Sequence, residues 1–497
     1  MCDGFPDQEY QSAAVQCGDR QKIQNSQVNS KHQGDVQHIH QYILPAVILG
    51  TFVGLANNIY CDAYRACHIL PGDLPLHQHR QTLPGHVHAV AHLIPGIPEA
   101  VQSGQFYEIR ITDADQIKTR KAKDPYGVAC SPSYLAGAGW DWMPYVPGRL
   151  AGITGNAYLV VTGDVVMEDP WVRSELPTLQ KAELSVSTDI RNASSSPKEV
   201  VVSGVIQPGN ISFSKDIRVE GGTTARLSIN KDDIAQLVVD HPRLWWPNGY
   251  GDPNLYTCKL TCSVDGKVSD VKEMTFGIKK YEYKMVDNVV GYPVLTFFIN
   301  GQKIYLKGGN WGMSEYLLRC QGKEYETKIR LHKEMNYNMI RLWTGCVTDD
   351  EFYDYCDKYG IMVWNDFWLY VAYNDVAQPE AFKANALDKV RRLRNHPSIA
   401  IWCGANETHP APDLDNYLRE MIAKEDNNDR MYKSCSNQDG LSGSGWWGNQ
   451  PPRHHFETSG SNLAFNTPAY PYGIDYGYGM RTEIGTATFP TFESIKE

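Results

Sequence analysis

IAIWCGANETHP, residues 399–410, runs through seven apolar or small residues and then sets an amide and a carboxylate, Asn406 and Glu407, side by side. An unbroken apolar run bounded by polar residues reads as a β-strand buried on both faces, the kind found in parallel sheets covered by helices. The preceding sequence repeats the pattern. KIYLKGGNW (303–311), NMIRLW (338–343) and IMVWNDF (361–367) read as strands, and EYETKIRLHKEMN (324–336), DDEFYDYCDKYG (349–360) and PEAFKANALDKVRRLRN (379–395) as helices. DLDNYLREMIAKED (413–426) is a fourth helix after the quoted strand. Four successive β/α units predict a parallel sheet. Each strand ends in polar or aromatic residues: Asn310 and Trp311, Arg341 and Trp343, Asn365 and Asp366, Asn406 and Glu407. In a (β/α)8 barrel, active sites form at that strand end. A doubly wound sheet would carry a Gly-rich phosphate loop after its first strand, and GGNWGMS (308–314) is a poor one.

Upstream, AELSVSTDIRNASSSPKEVVVSGVI, TTARLSI, LYTCKLTCSV and DVKEMTFGI alternate at the spacing of a β-sandwich. DHPRLWWPNGYGDPNLY is a long Pro/Gly-rich connection within it. The expected organisation is multidomain β plus α/β. An atypical segment spans 1–125 and the remnant of an earlier β-sandwich 126–165. An immunoglobulin-like sandwich follows at 166–278, and a TIM barrel at 279–497 that stops after about its seventh strand. Without an eighth strand two sheet edges stay open, which predicts aggregation and negligible activity for this chain alone.

Nine of the fifteen histidines fall in the first 124 residues. Cys61, Cys67 and His68 precede His77/His79 and His86/His88, but these spacings match no standard zinc pattern, and poorly ordered or non-native sequence is the preferred reading. The net charge of −10 presents no basic face to a phosphate backbone, so no nucleic-acid partner is expected. YILPAVILGTFVGLA (42–56) is too short and too broken by Pro and Gly for a membrane span, and no signal peptide is visible. The 12 cysteines contain no C-x-x-C pair and read mostly as free thiols.

A strand-end Glu407 suggests acid–base chemistry, and a second carboxylate, Glu483, ends another short strand candidate in YGMRTEIGTATFP. Two carboxyl groups facing one cleft are what glycosidic cleavage requires. Each residue also has a structural reading. Asn406–Glu407 suits a helix N-cap and first-turn acid. Arg341 suits a structural salt bridge, Asp366 a helix cap, and Trp446 with Trp447 either a distal subsite or loop packing.

GGNWGMSEYLLR, NMIRLW, WNDFW, RNHPSIAIWCGANE and RTEIGTATFPTFESIK, in this order, resemble the family 2 glycoside hydrolases, in particular the β-mannosidase-like branch with its endo-β-mannosidases and exo-β-glucosaminidases. GWDWMPYVPGR (139–149) resembles the end of their N-terminal sugar-binding sandwich. The resemblance implies a retaining β-glycosidase, most readily on β-mannosides, with exo-β-glucosaminidase, β-galactosidase or a catalytically dead carbohydrate-binding fragment as alternatives. It implies Glu407 as acid and then base, Glu483 as nucleophile and Asn406 on the sugar 2-hydroxyl. Arg341 would keep the nucleophile ionised. Trp311, Trp343 and Trp368 would be stacking walls, and Asp366 and Trp446 would complete substrate binding. It implies no metal or other cofactor, and an oligosaccharide or glycan as partner. Members are often secreted, periplasmic, lysosomal or vacuolar. The glucosaminidase branch carries a Ser-Asp pair where this chain has Asn406–Glu407, which favours the mannosidase branch.

Overall fold

The computed structural model describes residues 160–287, 293–311, 320–347, 349–369, 376, 379–441, 480 and 482–485, with strand backbone also at 67–72, 86–88, 106–111 and 444–447. GWDWMPYVPGR, the apolar run at 42–56 and the residues after 485 lie outside this set. In the leading region, where no strand is expected, β1 (Cys67–Gly72), β2 (His86–His88) and β3 (Phe106–Ile111) form an antiparallel sheet with β3 in the centre.

The sandwich comprises β4 (Val165–Thr178), β5 (Lys181–Asn192), β6 (Lys198–Gln207), β7 (Ile211–Val219), β8 (Thr224–Ile229), β9 (Val238–Asp240), β10 (Tyr256–Val264) and β11 (Lys267–Phe276). One sheet has the order β4-β5-β8, with β9 also on β5, and the other β11-β10-β6-β7. Every second residue of β5 is buried, the period a strand imposes on a half-buried sheet. Leu184, Val186 and Ile190 thereby join Val200, Val202, Ile206, Leu260 and Cys262 in one core.

The barrel differs from the expected pattern at its entrance. KIYLKGGNW is not one strand. Gln302–Ile304 is β14 of an antiparallel sheet with β12 (Tyr281–Asp287) and β13 (Pro293–Ile299), and only Gly308–Asn310, β15, enters the parallel sheet. The turn residues explain the break: Asn300 and Gly301 both take positive φ in the β13–β14 hairpin. Leu295, Phe297, Ile299 and Ile304 pack with Met339, Met362, Trp364 and Ile401, so this small sheet adds an apolar layer to the barrel strands.

The parallel sheet then runs β15, β16 (Met339–Leu342), β17 (Met362–Asp366), β18 (Ile399–Ala405) and β19 (Met431–Cys435), in chain order. β19 carries no apolar run, because Lys433 and Ser434 interrupt MYKSC. All seven residues of β18 are buried. Helices α1 (Lys323–Glu334), α2 (Asp350–Tyr359), α3 (Pro379–Leu393) and α4 (Pro412–Glu425) lie where the 3.6-residue pattern puts them, and their apolar stripes meet the strands in a second core. β20 (Ser444–Trp447) and β21 (Glu483–Gly485) form a further parallel pair, sixth and seventh in chain order. No helix among the described residues is long and apolar enough to cross a membrane.

The Pro/Gly-rich connection ties the two domains. Trp245 is fully buried among barrel residues and donates Nε1–H to the Asp357 carbonyl at 2.9 Å. Gly360 ends α2 in the left-handed region, where a Cβ would meet the Asn248 nitrogen at 2.9 Å and the Trp246 oxygen at 3.0 Å, so only glycine allows the connection to pass this closely.

Candidate active site

The carboxyl ends of β16, β17 and β18 converge with β21 on one guanidinium. Arg341, the third residue of β16, is buried and satisfies three partners at once. Nε and Nη2 reach Asp366 Oδ1 and Oδ2 at 3.3 and 2.7 Å, Nη2 also reaches Asn406 Oδ1 at 2.7 Å, and Nη1 reaches Glu483 Oε1 at 2.6 Å. Residues more than a hundred positions apart thus share one planar donor set, the bidentate geometry for which arginine is suited.

Asp366 is fully buried and accepts two further hydrogen bonds, from Trp364 Nε1–H at 2.8 Å and the Thr344 backbone N–H at 3.0 Å. Its carboxylate is therefore occupied, and it orients Arg341. It does not cap the next helix, which begins thirteen residues later at Pro379. Thr344 holds its donor in place from a left-handed backbone, φ 48°, which is costly for a β-branched residue. Lys389, on α3 and also buried, donates from Nζ to the Asp366 carbonyl at 2.6 Å and lies 4.9 Å from the Trp368 ring centre. Neither Thr344 nor Lys389 was singled out by the sequence, since each stands in an ordinary strand end or helix pattern.

Asn406 and Glu407 are not a helix cap, because α4 starts at Pro412 with Ala411 before it. Asn406 is held through its own N–H to the Leu369 carbonyl at 3.0 Å and through Oδ1 to Arg341. Glu407 takes a left-handed φ of 56°, and its N–H donates to Ser436 Oγ at 2.9 Å. Non-glycine residues in this region concentrate where surrounding contacts over-determine the backbone.

The electrostatics connect the two carboxylates. Burial raises Glu483 above the usual glutamate range and Arg341 opposes it, while repulsion from Glu407 and Asp366 adds to the rise, so the group ends above its ordinary value. Arg341 therefore limits the rise without reversing it. Burial alone would depress Arg341, but the adjacent Asp366 and Glu483 carboxylates outweigh it and hold the guanidinium firmly protonated.

Two of the three expected aromatic walls, Trp311 and Trp368, pack in the interior. Trp311 is 1% exposed and packs edge-on against Phe352 at 5.0 Å and along His332 at 5.9 Å, inside the helix–sheet layer. Trp368 belongs to the same core, against Phe367 and Phe382, and Trp343 is also buried. Strand-end tryptophans read as sugar platforms because aromatic residues serve both purposes; Trp311 and Trp368 pack in the helix–sheet core, while Trp343 lies outside that cluster and stays a proposed wall. The Trp446 side chain lies outside the described residues, and of Cys67, His68, His86 and His88 only strand backbone is described. The acid and histidine group that does cluster, Asp354, Asp357 and His396, has its Asp357 oxygens engaged by His396 Nδ1 at 2.7 Å and the Ser398 N–H at 3.0 Å, which ties α2 to the start of β18.

This arrangement of a sandwich followed by a parallel barrel sheet, with a strand-end Asn-Glu pair facing a second glutamate, accords with the family comparisons. Residues 165–279 match the glycosyl hydrolases family 2 domain and residues 295–439 the TIM barrel domain of the same family. The chain belongs to glycosyl hydrolases family 2, in its β-mannosidase-like part. It is similar to the mannosylglycoprotein endo-β-mannosidase of Lilium longiflorum, 31% identical over 72% of this chain and 41% of that one. It is also similar to the exo-β-D-glucosaminidase of Streptomyces avermitilis, 30% identical over 57% of this chain and 32% of that one. A crystal structure of the β-D-mannosidase from Dictyoglomus thermophilum superposes with a TM-score of 0.55 at 27% identity, covering 68% of this chain and 43% of that one. The chain thus spans less than half the length of these relatives.

Proposed function

We propose that this chain carries the catalytic centre of a retaining β-glycosidase acting on β-mannosides. The observation that supports it most is the Arg341 hub, which joins Asn406, at the carboxyl end of the five-stranded sheet, to Glu483 at the start of β21, where Glu407 is near enough to repel it. In this reading Glu407 protonates the glycosidic oxygen while Glu483 attacks the anomeric carbon. Glu407 then removes a proton from the water that releases the sugar. The raised pKa of Glu483 would by itself suggest the acid, but its 2.6 Å contact with a firmly protonated arginine suits an anionic nucleophile. With Asn406 Oδ1 taken by Arg341, its Nδ2 is the donor available to a sugar hydroxyl. Asp366, Thr344 and Lys389 act through the hub and do not touch the sugar. Trp446 remains a proposed outer contact.

Hydrolysis of aryl β-mannoside, β-glucosaminide and β-galactoside, run side by side, tests the assignment. Preferential turnover of the mannoside is expected. Preference for the glucosaminide would favour the second reading, which the Streptomyces relative supports, and sugar binding without turnover would leave a carbohydrate-binding chain.

A further inference from the structure

The carboxyl end of the sheet carries a second polar cluster, which no motif in the sequence marks. His409 lies two residues beyond Glu407, and its Nε2 meets Asp439 Oδ2 at 2.9 Å. Lys433 on β19 reaches the same oxygen with Nζ at 3.3 Å. Lys433 is buried, and its register partner Cys403 belongs to the inner core, so the lysine rises from the barrel interior. Asp439 and His409, in contrast, are about half exposed. Their loop is tied to the site, since Ser436, three residues before Asp439, accepts the Glu407 N–H. Burial pushes Asp439 up, but His409 and Lys433 outweigh it and hold the carboxylate below its ordinary range.

Two atoms of this cluster are unspent. Among the described residues Asp439 Oδ1 and His409 Nδ1 have no hydrogen-bond partner, while the opposite atom of each group is fixed. Asp439 Oδ1 can accept from one sugar hydroxyl, and His409 Nδ1, on the side of the ring away from Asp439, can exchange a hydrogen bond with another. The general acid must touch the glycosidic oxygen, and what lies beyond that oxygen is the leaving group. We propose that His409 and Asp439, braced by Lys433, bind a sugar in the leaving-group position and make the site selective for glycosides whose aglycone is itself a sugar. The inference rests on Glu407 being the acid.

The test compares β-1,4-mannobiose with p-nitrophenyl β-mannoside in Asp439→Asn and His409→Ala. Loss of a charged hydrogen bond corresponds to about a 10- to 100-fold drop in kcat/KM, expected for mannobiose alone, with the aryl mannoside unchanged. Equal losses on both substrates, or none on mannobiose, would overturn the proposal. Calorimetry with mannobiose and mannose on the same proteins separates it from the glycosidase reading. If neither glycoside is turned over but Asp439→Asn weakens mannobiose and not mannose binding, the subsite stands and the catalytic reading falls. Unchanged mannobiose binding overturns the subsite.

Discussion

The two ends of the parallel sheet are each organised by a buried arginine, and they use it differently. At the amino end, Arg430 gives its donors to the carbonyls of Ile399, Arg394 and His396 and to Asp426. Asp426 in turn accepts Trp402 Nε1–H at 3.1 Å. Arg394 continues the network to Glu425 and, across the domain boundary, to the Asp169 carbonyl at 2.9 Å. Nearly everything there is spent on the protein itself. At the carboxyl end, Arg341 binds the side chains of Asp366, Asn406 and Glu483, and among the described residues Asn406 Nδ2 and Glu483 Oε2 have no hydrogen-bond partner. Buried charge is an expensive way to gain stability. The comparison teaches that buried charge closes a structure where its partners are mainly carbonyls and one carboxylate, and makes a site where it gathers side chains that can also meet a substrate.

The difference predicts two variants with similar damage to folding and different damage to chemistry. Arg341→Met leaves Asp366 and Glu483 buried without their cation, and Arg430→Met does the same to Asp426, so each should cost about 3–5 kcal/mol in urea unfolding. Only Arg341→Met should also move the acidic limb of the kcat/KM profile. Glu483 already sits above the ordinary glutamate value, and removing the charge that lowers it shifts the limb to higher pH. A shifted limb in Arg430→Met would break the distinction between the two ends.

Trp402→Phe removes one hydrogen bond to Asp426 and should cost about 1–3 kcal/mol without changing the pH profile. His396 gives a smaller, pH-dependent effect. Burial lowers it, but Asp357, Asp354 and Asp350 outweigh this and hold it above 6.5. Its contribution to stability is therefore full below the unfolded value of 6.5 and is lost as pH rises through the higher folded value. Asp357→Asn should flatten that slope in thermal melts taken between pH 6 and 8. The smallest effect is expected where the sandwich meets the barrel through the partly exposed Arg173–Asp429 pair. Arg173→Ala should cost roughly 0.2–1 kcal/mol, measured as the shift in the urea midpoint.

The sequence exposed the repeating units well because each β/α pair buries a continuous apolar strand under a striped helix. Asn406, Glu407 and Arg341 were legible because strand ends in barrels carry polar side chains where packing alone would not; Glu483 was legible only through its TEIG context in the family resemblance, and it opens β21 instead of ending a strand. β19 was illegible for a physical reason: Lys433 occupies a position facing the barrel interior, which breaks the apolar run. The tryptophans were ambiguous in the sequence because an aromatic ring stacks on a sugar and fills a helix–sheet layer equally well, and Trp311 and Trp368 do the second. Thr344 donates from its backbone N–H and Lys389 to a backbone carbonyl, and a hydrogen bond with a main-chain group on one side leaves no residue pattern to find. His409 and Asp439 lie thirty positions apart and meet only once β18 and β19 are paired.

The central claim, that Glu483 attacks the sugar and Glu407 handles the proton, is tested most directly by azide rescue of the alanine variants. With Glu483→Ala, azide enters from the vacated face and a β-mannoside should yield the α-azide. With Glu407→Ala, azide intercepts the glycosyl-enzyme and the product should be the β-azide. Retained turnover in Glu483→Ala without azide, or the two products exchanged between the variants, would contradict the assignment.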